Sequence, residues 1–208
     1  MQMKWMRAAA IFLGVVAALS GASAHAQFDV AGSFFSTFNT STSGHGTNQK
    51  PKDSPGGMLE FRYIRKPLKG FELSYSYNPA DESYTVSTTG CGLRCGTAPV
   101  TVTSDNHMIG MNWVPTTAKK YAGFTPFGIA GLGFVISEPN TNDYALNSKV
   151  RISFDYGGGV DYGITSRLGV RAQVRGAAYK APDLSILYSP TGAYMQTIQP
   201  SIGIYFRP

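Results

Sequence analysis

Few residues in this chain have side chains suited to catalysis. Three histidines occur, and only His45 and His107 lie beyond residue 26. Acyl transfer or hydrolysis needs a nucleophile, a base to activate it and a group that orients the base. Ser104, Asp105 and His107 have the composition of such a triad. Residues two apart on a strand share a face, so Asp105 and His107 are expected to meet. The favoured reading is a hydrogen-bonding cluster at a loop rim, because loops rarely fix three groups without a scaffold. His45 sits in Ser43-Gly44-His45-Gly46, a loop composition. The run Gly157-Gly158-Gly159 lacks the Lys-Ser/Thr and the helix of a phosphate loop, and 128–133 is not in dinucleotide-binding order. No metal-ligand cluster is present in the sequence. The expectation is a protein that is not an enzyme and carries no cofactor and no metal.

Two cysteines, Cys91 and Cys95, frame a five-residue segment. Redox chemistry or half of a metal site would want Cys-x-x-Cys or a second ligand pair nearby. In an exported chain, a short disulfide staple is the preferred reading.

Export is indicated by the first 26 residues. Lys4 and Arg7 precede an apolar run at 8–19, and Ala24-His25-Ala26 offers small residues where a signal peptidase reads. The run is shorter than the roughly 20 residues of a helical span. Residues 1–26 are therefore expected to be a signal peptide and 27–208 the mature domain. Removing 26 of 208 residues leaves 182, and losing Lys4 and Arg7 lowers the formal charge from +6 to +4. The remaining basic residues form no long run, which argues against nucleic-acid binding.

The more abundant chemistry is charge set into alternating segments. Val150, Ile152, Phe154, Tyr156, Val160 and Tyr162 fall on one face of a two-residue period, with Arg151, Asp155 and Asp161 on the other. Leu168, Val170, Ala172 and Val174 oppose Arg171, Gln173 and Arg175. Leu59, Phe61 and Tyr63 oppose Glu60 and Arg62. Phe71, Leu73, Tyr75 and Tyr77 oppose Glu72, Ser74 and Ser76. Related alternation at 109–113, 130–136 and 198–206, with a less regular segment at 28–38, gives eight strands. Connections at 66–69, 115–121 and 165–167 are short. Those at 39–55, 79–101, 137–148 and 180–195 are long and rich in turn residues. Short turns on one rim and long loops on the other describe an up-and-down meander.

Two architectures share this pattern. A soluble lipocalin-type barrel turns its apolar face inward, and a membrane barrel turns it outward. The polar face carries Glu60, Glu72, Asp155 and Asp161 with Arg62, Arg151, Arg171 and Arg175, four of each sign. It also carries Gly110, Gly131, Gly133, Gly157 and Gly159, small residues that make room for long charged chains. Eight strands enclose an interior just wide enough for side chains to fill. Opposite charges there would pair in a closed plug. Aromatic residues near strand ends, among them Tyr63, Tyr75, Tyr77, Trp113, Tyr156, Tyr162 and Phe206, fit interfacial girdles. The resulting expectation is an all-β, eight-stranded antiparallel up-and-down transmembrane β-barrel.

Several segments resemble the small outer-membrane β-barrels of Gram-negative bacteria, of the OmpA transmembrane-domain and OmpX-like type. They are Thr125-Pro126-Phe127 leading into Gly131-Leu132-Gly133, the sixth-strand-like segment 154–162, the seventh-strand-like segment 168–175, and the terminal Pro200-Ser201-Ile202-Gly203-Ile204-Tyr205-Phe206. The resemblance implies residence in the outer membrane, contact with its lipid and lipopolysaccharide, and a monomeric barrel. It also implies a terminal strand read by the barrel-assembly machinery through Gly203, Tyr205 and Phe206, although Arg207 and Pro208 follow the usual terminal aromatic. The implied role is structural or interactive, through extracellular loops. A small gated pore or hydrophobic-ligand conduit is the alternative, and a lipid-modifying enzyme using His107 comes third.

Overall fold

A computed structural model describes residues 27–86, 99–140, 148–185 and 188–208. Their regular secondary structure is all β-strand, joined by turns and irregular connections. In chain order the strands are β1 (Gln27–Ser36), β2 (Phe38–Asn39), β3 (Thr42–Gly44), β4 (Thr47–Pro51), β5 (Pro55–Lys66), β6 (Lys69–Val86), β7 (Val100–Trp113), β8 (Phe124–Pro139), β9 (Lys149–Gly163), β10 (Leu168–Lys180) and β11 (Tyr194–Phe206). Antiparallel pairings run from β7 through β8, β9, β10, β11, β1 and β5 to β6, and a β6–β7 ladder closes the circle. The barrel has eight staves. β2 continues the path of β1 along β11, while the β3–β4 hairpin extends the wall on the outer edge of β6.

The polarity of this cylinder is reversed relative to a soluble core. Phe34, Met111 and Ile152 are 81%, 73% and 68% exposed on the outside, whereas Arg62, Arg171 and Glu60 are fully buried within. Period-two alternation imposes this, since a pleated strand sends successive side chains to opposite faces. Leu132 and Phe154 join the outer band. Phe34 and Phe35 take opposite faces, Phe35 being buried, so the irregular first segment is still one stave.

The strands correct the sequence reading in two places. The expected long loop at 39–55 contains the β3–β4 hairpin. The expected long loop at 79–101 is shorter, because β6 continues to Val86 and pairs up to Tyr84↔Val100 with β7. Pro79 reads as a strand breaker, but it falls where β6 has left β5 at Tyr77 and has not yet met β4 at Glu82. No ladder partner there requires its missing N–H. A second proline, Pro200, stands at the break between Phe35↔Ser201 and Phe38↔Ile198, where the β1–β11 seam is interrupted.

Candidate functional site

The barrel interior is built in tiers. Two tight hairpins create the first contacts. The β5–β6 turn sets Arg62 opposite Glu72, and the β9–β10 turn sets Asp161 opposite Arg171. Arg62 donates from Nε and Nη2 to Glu72 Oε2 at 3.1 and 2.6 Å. Arg171 donates from Nε to Asp161 Oδ1 at 2.8 Å and from Nη2 to Asp161 Oδ2 at 3.1 Å. Guanidinium forks suit this use, since they stay charged and bind carboxylates in two places.

Closure of the cylinder then joins these pairs across the lumen. Arg62 Nη1 lies 3.4 Å from Asp161, and Arg171 reaches Glu60 at 3.3 Å and Asp29 at 3.0 Å. Arg175 Nη2 bridges Glu60 and Glu72. Gln173 donates to Glu60 Oε1 at 2.6 Å, and Asn112 to Glu72 Oε1 at 3.3 Å. Arg62 stacks over the buried Phe127 ring at 4.2 Å, and Tyr205 lies beneath Arg171 and Arg207 at 5.4 and 5.0 Å. Each charge of this network thus faces opposite charge or a ring, the condition under which burial is tolerable. Above the network a void of about 20 Å³ remains among residues that include Ser74, Asp155 and Arg175. That is room for about one water.

Six of the eight residues expected in the interior are joined in one ion-paired set: Glu60, Arg62, Glu72, Asp161, Arg171 and Arg175. Asp155 lies inward but accepts from Ser153 Oγ at 2.7 Å and has no ion pair among the described residues. Glycines make its place: a Cβ on Gly110 or Gly133 would come within 2.6 or 2.7 Å of Asp155 Oδ2. Arg151 stays outside the set, and its buried Nε has no hydrogen-bond partner. Sequence reasoning missed Asp29. Its inward position was legible from alternation with Ala31, Ser33 and Phe35, but the Phe34–Phe35 doublet obscured that phase.

Nearer the long-loop rim the lumen changes character. Val135, Ala177, Tyr179, Ala181 and Met195 form an apolar tier. Higher still, Tyr84, Val102 and Leu184 pack together, with Val100 and Tyr188 against them. Leu184 lies in the final long connection and packs over this end. Its N–H donates to Tyr84 Oη at 2.8 Å, and Tyr84 Oη donates to Glu82 Oε2 at 3.0 Å. Gln49 Nε2 also donates to Glu82. The loop is held from behind by Asp183, which accepts from Thr191 N and Oγ1 at 2.8 and 3.0 Å. Glu82 lies five residues beyond the girdle residue Tyr77. Burial, partly opposed by its two hydrogen bonds and assisted by nearby Asp183, pushes its carboxyl up to about 7.

The Ser104–Asp105–His107 constellation is not assembled. Ser104 points inward and donates to Ala80 O at 2.6 Å. His107 Nδ1 meets Tyr75 Oη at 2.8 Å, and Asp105 accepts from Tyr77 at 3.0 Å and Asn140 at 2.9 Å. The alternation that allies Asp105 with His107 sends Ser104 to the other face, so the arrangement is an outer rim cluster. His45 Nδ1 lies 3.0 Å from Pro190 O, joining the β3–β4 tip to the last loop. Of the terminal-strand residues, Tyr205 is buried inward, Phe206 faces outward, and Gly203 sits where a Cβ would strike Gly32 O of β1. Cys91 and Cys95 lie outside the described residues. No group of three or more metal-binding side chains occurs among the described residues.

A family model described as outer membrane protein beta-barrel domain matches residues 8–206. No curated protein matches. Among solved structures, Neisserial surface protein A (NspA) is similar at 12% identity, covering 87% of this chain and 97% of that one, with a TM-score of 0.55. OprG from Pseudomonas aeruginosa is similar at 12% identity, covering 88% of this chain and 95% of that one, with a TM-score of 0.53. At such identities the likeness concerns the fold alone.

Proposed function

Because the chain belongs to the outer-membrane β-barrel domain family and lies in the outer membrane, we propose that it is a closed barrel with a structural and interactive role, working through its extracellular end. The carrying observation is that the lumen is crossed at several heights. The Arg62–Glu72–Arg175–Glu60–Arg171–Asp161 set fills one level, the apolar tier a second, and the Tyr84–Leu184 cap a third. An ion moving along the axis would have to separate buried pairs, and stranding a single partner costs about 3–5 kcal/mol. Closure of the wall removes the two free sheet edges that hydrocarbon could not satisfy, and short turns mark the periplasmic rim.

At the other end the β3–β4 hairpin, the β6 extension and the last loop support one another. A Cβ on Gly44 would collide with Thr191 O, so the hairpin and the loop approach each other at backbone distance. Such a surface is pre-organised for contact with an external partner. Absence of catalysis belongs to the same proposal. It is supported by the divergence of Ser104 from His107 and Asp105.

Conductance across planar bilayers tests this reading. The purified barrel is expected to give no discrete steps. Steps that disappear on substitution of Arg171 or Arg175 would replace the closed barrel with a gated pore.

A further inference from the structure

The two ends of the barrel differ in charge. Around the extracellular rim, Lys50, Lys52, Lys149 and Lys180 are interspersed with Asp53, Asp81, Asp105 and Glu138. The periplasmic turns carry Arg65, Lys66, Lys69, Lys119, Lys120 and Arg167, with Arg207 just inside, and no carboxylate. The nearest acidic side chains, Asp29 and Asp161, are buried and already engaged by Arg171, with Arg62 and Arg207 adding to them.

Part of this charge surrounds a cavity. Arg65, Lys66, Lys120 and Arg207 line an opening of about 290 Å³ at the periplasmic mouth, with Thr125 on its wall and Asp161 in its lining. Arg65, Lys66 and Lys120 form no ion pair with any described residue. The turns that bear them are tied to one another. Thr116 donates from N and Oγ1 to Pro67 O at 2.6 and 3.0 Å, Trp113 Nε1 donates to Leu68 O at 2.9 Å, and Arg207 N donates to Arg167 O at 2.7 Å. The cations are therefore mounted on a frame that does not have to be ordered when an anion arrives.

We propose that the periplasmic mouth is a binding site for a phosphate-bearing anion, either free in the periplasm or presented as the headgroup of an anionic phospholipid. Phosphate offers several acceptor oxygens at once, which matches convergent guanidinium and ammonium donors with a hydroxyl alongside. A single carboxylate would leave most of these donors unused. Asp161 does not repel the ligand as a free charge would, because both of its oxygens accept from Arg171. This site does not depend on whether the lumen conducts.

The test uses the full chain folded in uncharged detergent micelles, with inorganic pyrophosphate as the probe in titration calorimetry at low ionic strength. Saturable binding is expected, weakened by about tenfold in the Lys66→Gln/Lys120→Gln double variant and by added salt. A Lys50→Gln/Lys149→Gln double variant at the opposite rim is expected to bind as the unaltered protein does. In a second arm, native mass spectrometry counts lipids retained from nanodiscs containing phosphatidylcholine and phosphatidylglycerol. Retention of phosphatidylglycerol that depends on Lys66 and Lys120 identifies the headgroup as the source. Pyrophosphate binding without it identifies a free anion. The variants change exposed side chains or, at Lys149, a half-buried one, and the gel shift before and after boiling shows whether each is folded; Lys120→Gln alone serves if the double variant is not. Absence of both pyrophosphate binding and phosphatidylglycerol retention, or equal binding by both double variants, overturns the proposal. Bilayer conductance is a separate readout, so a failed anion site and a failed closed-barrel reading are distinguishable.

Discussion

Arg171 shows what one side chain contributes to this interior. It is fully buried, faces Asp29, Glu60 and Asp161, and lies near the Phe127 and Tyr205 rings. Arg171→Met keeps a long stem but leaves buried carboxylates short of a cation. Equilibrium unfolding in micelles is expected to show a loss of about 3–5 kcal/mol. Glu82 behaves differently, because hydrogen bonds rather than a cation satisfy it. Its folded pKa, raised to about 7 from 4.5, means that the folded cap holds the proton more tightly than the opened chain does. Its contribution is fully present below about pH 4.5, falls as pH rises through the interval, and is lost above about pH 7. Protection of the Leu184 amide, corrected for intrinsic exchange, is expected to fall across that window. In Glu82→Gln the fall should disappear. An unchanged profile in the variant would remove Glu82 from the cap's control.

At the scale of strands, the constraint is how closely two staves approach around a large inward group. Gly110 on β7 and Gly133 on β8 are register partners, and Asp155 of β9 occupies the space beside both. Gly133→Ala would place a Cβ 2.6 Å from Ile109 O and 2.7 Å from Asp155 Oδ2. Backbone cannot yield as a flexible side chain can, so a loss of about 1–3 kcal/mol is expected in the same unfolding assay. Strand identity was readable from alternation, and the three short turns fell where the sequence placed them. The extent of β6 was not. Pro79 and the polar run after it resemble a loop, and only the gap between the β5 and β4 ladders makes a proline acceptable there. The β3–β4 hairpin was equally hidden. Its residues, Thr42–Gly44 and Thr47–Pro51, have loop composition and become strand by pairing with one another and with β6.

For the whole molecule, the closed ladder from β1 round to β11 makes unfolding an all-round event. The barrel is expected to keep a compact form in detergent until heated, and to migrate at different positions on a gel before and after boiling. A single unshifted band would contradict the closed cylinder. The sequence by itself determined the strand period, which of the charges in the regular segments share a face, and the pairs closest to a turn. Arg62 with Glu72 and Asp161 with Arg171 are ten residues apart across tight hairpins, so local register alone brings them face to face. The tertiary structure decided the rest. Arg62 with Asp161, Arg171 with Glu60 and Asp29, and Arg175 with Glu60 and Glu72 are separated by 99 to 142 residues. Their meeting depends on the curvature and stagger with which eight staves close. Closure likewise brought the loop residues Asp183 and Leu184 over Glu82 and Tyr84, a contact between segments that both read as loop in the sequence. It also gathered the cations of separate short turns around one mouth, since turns distant along the chain become neighbours only once the cylinder is complete.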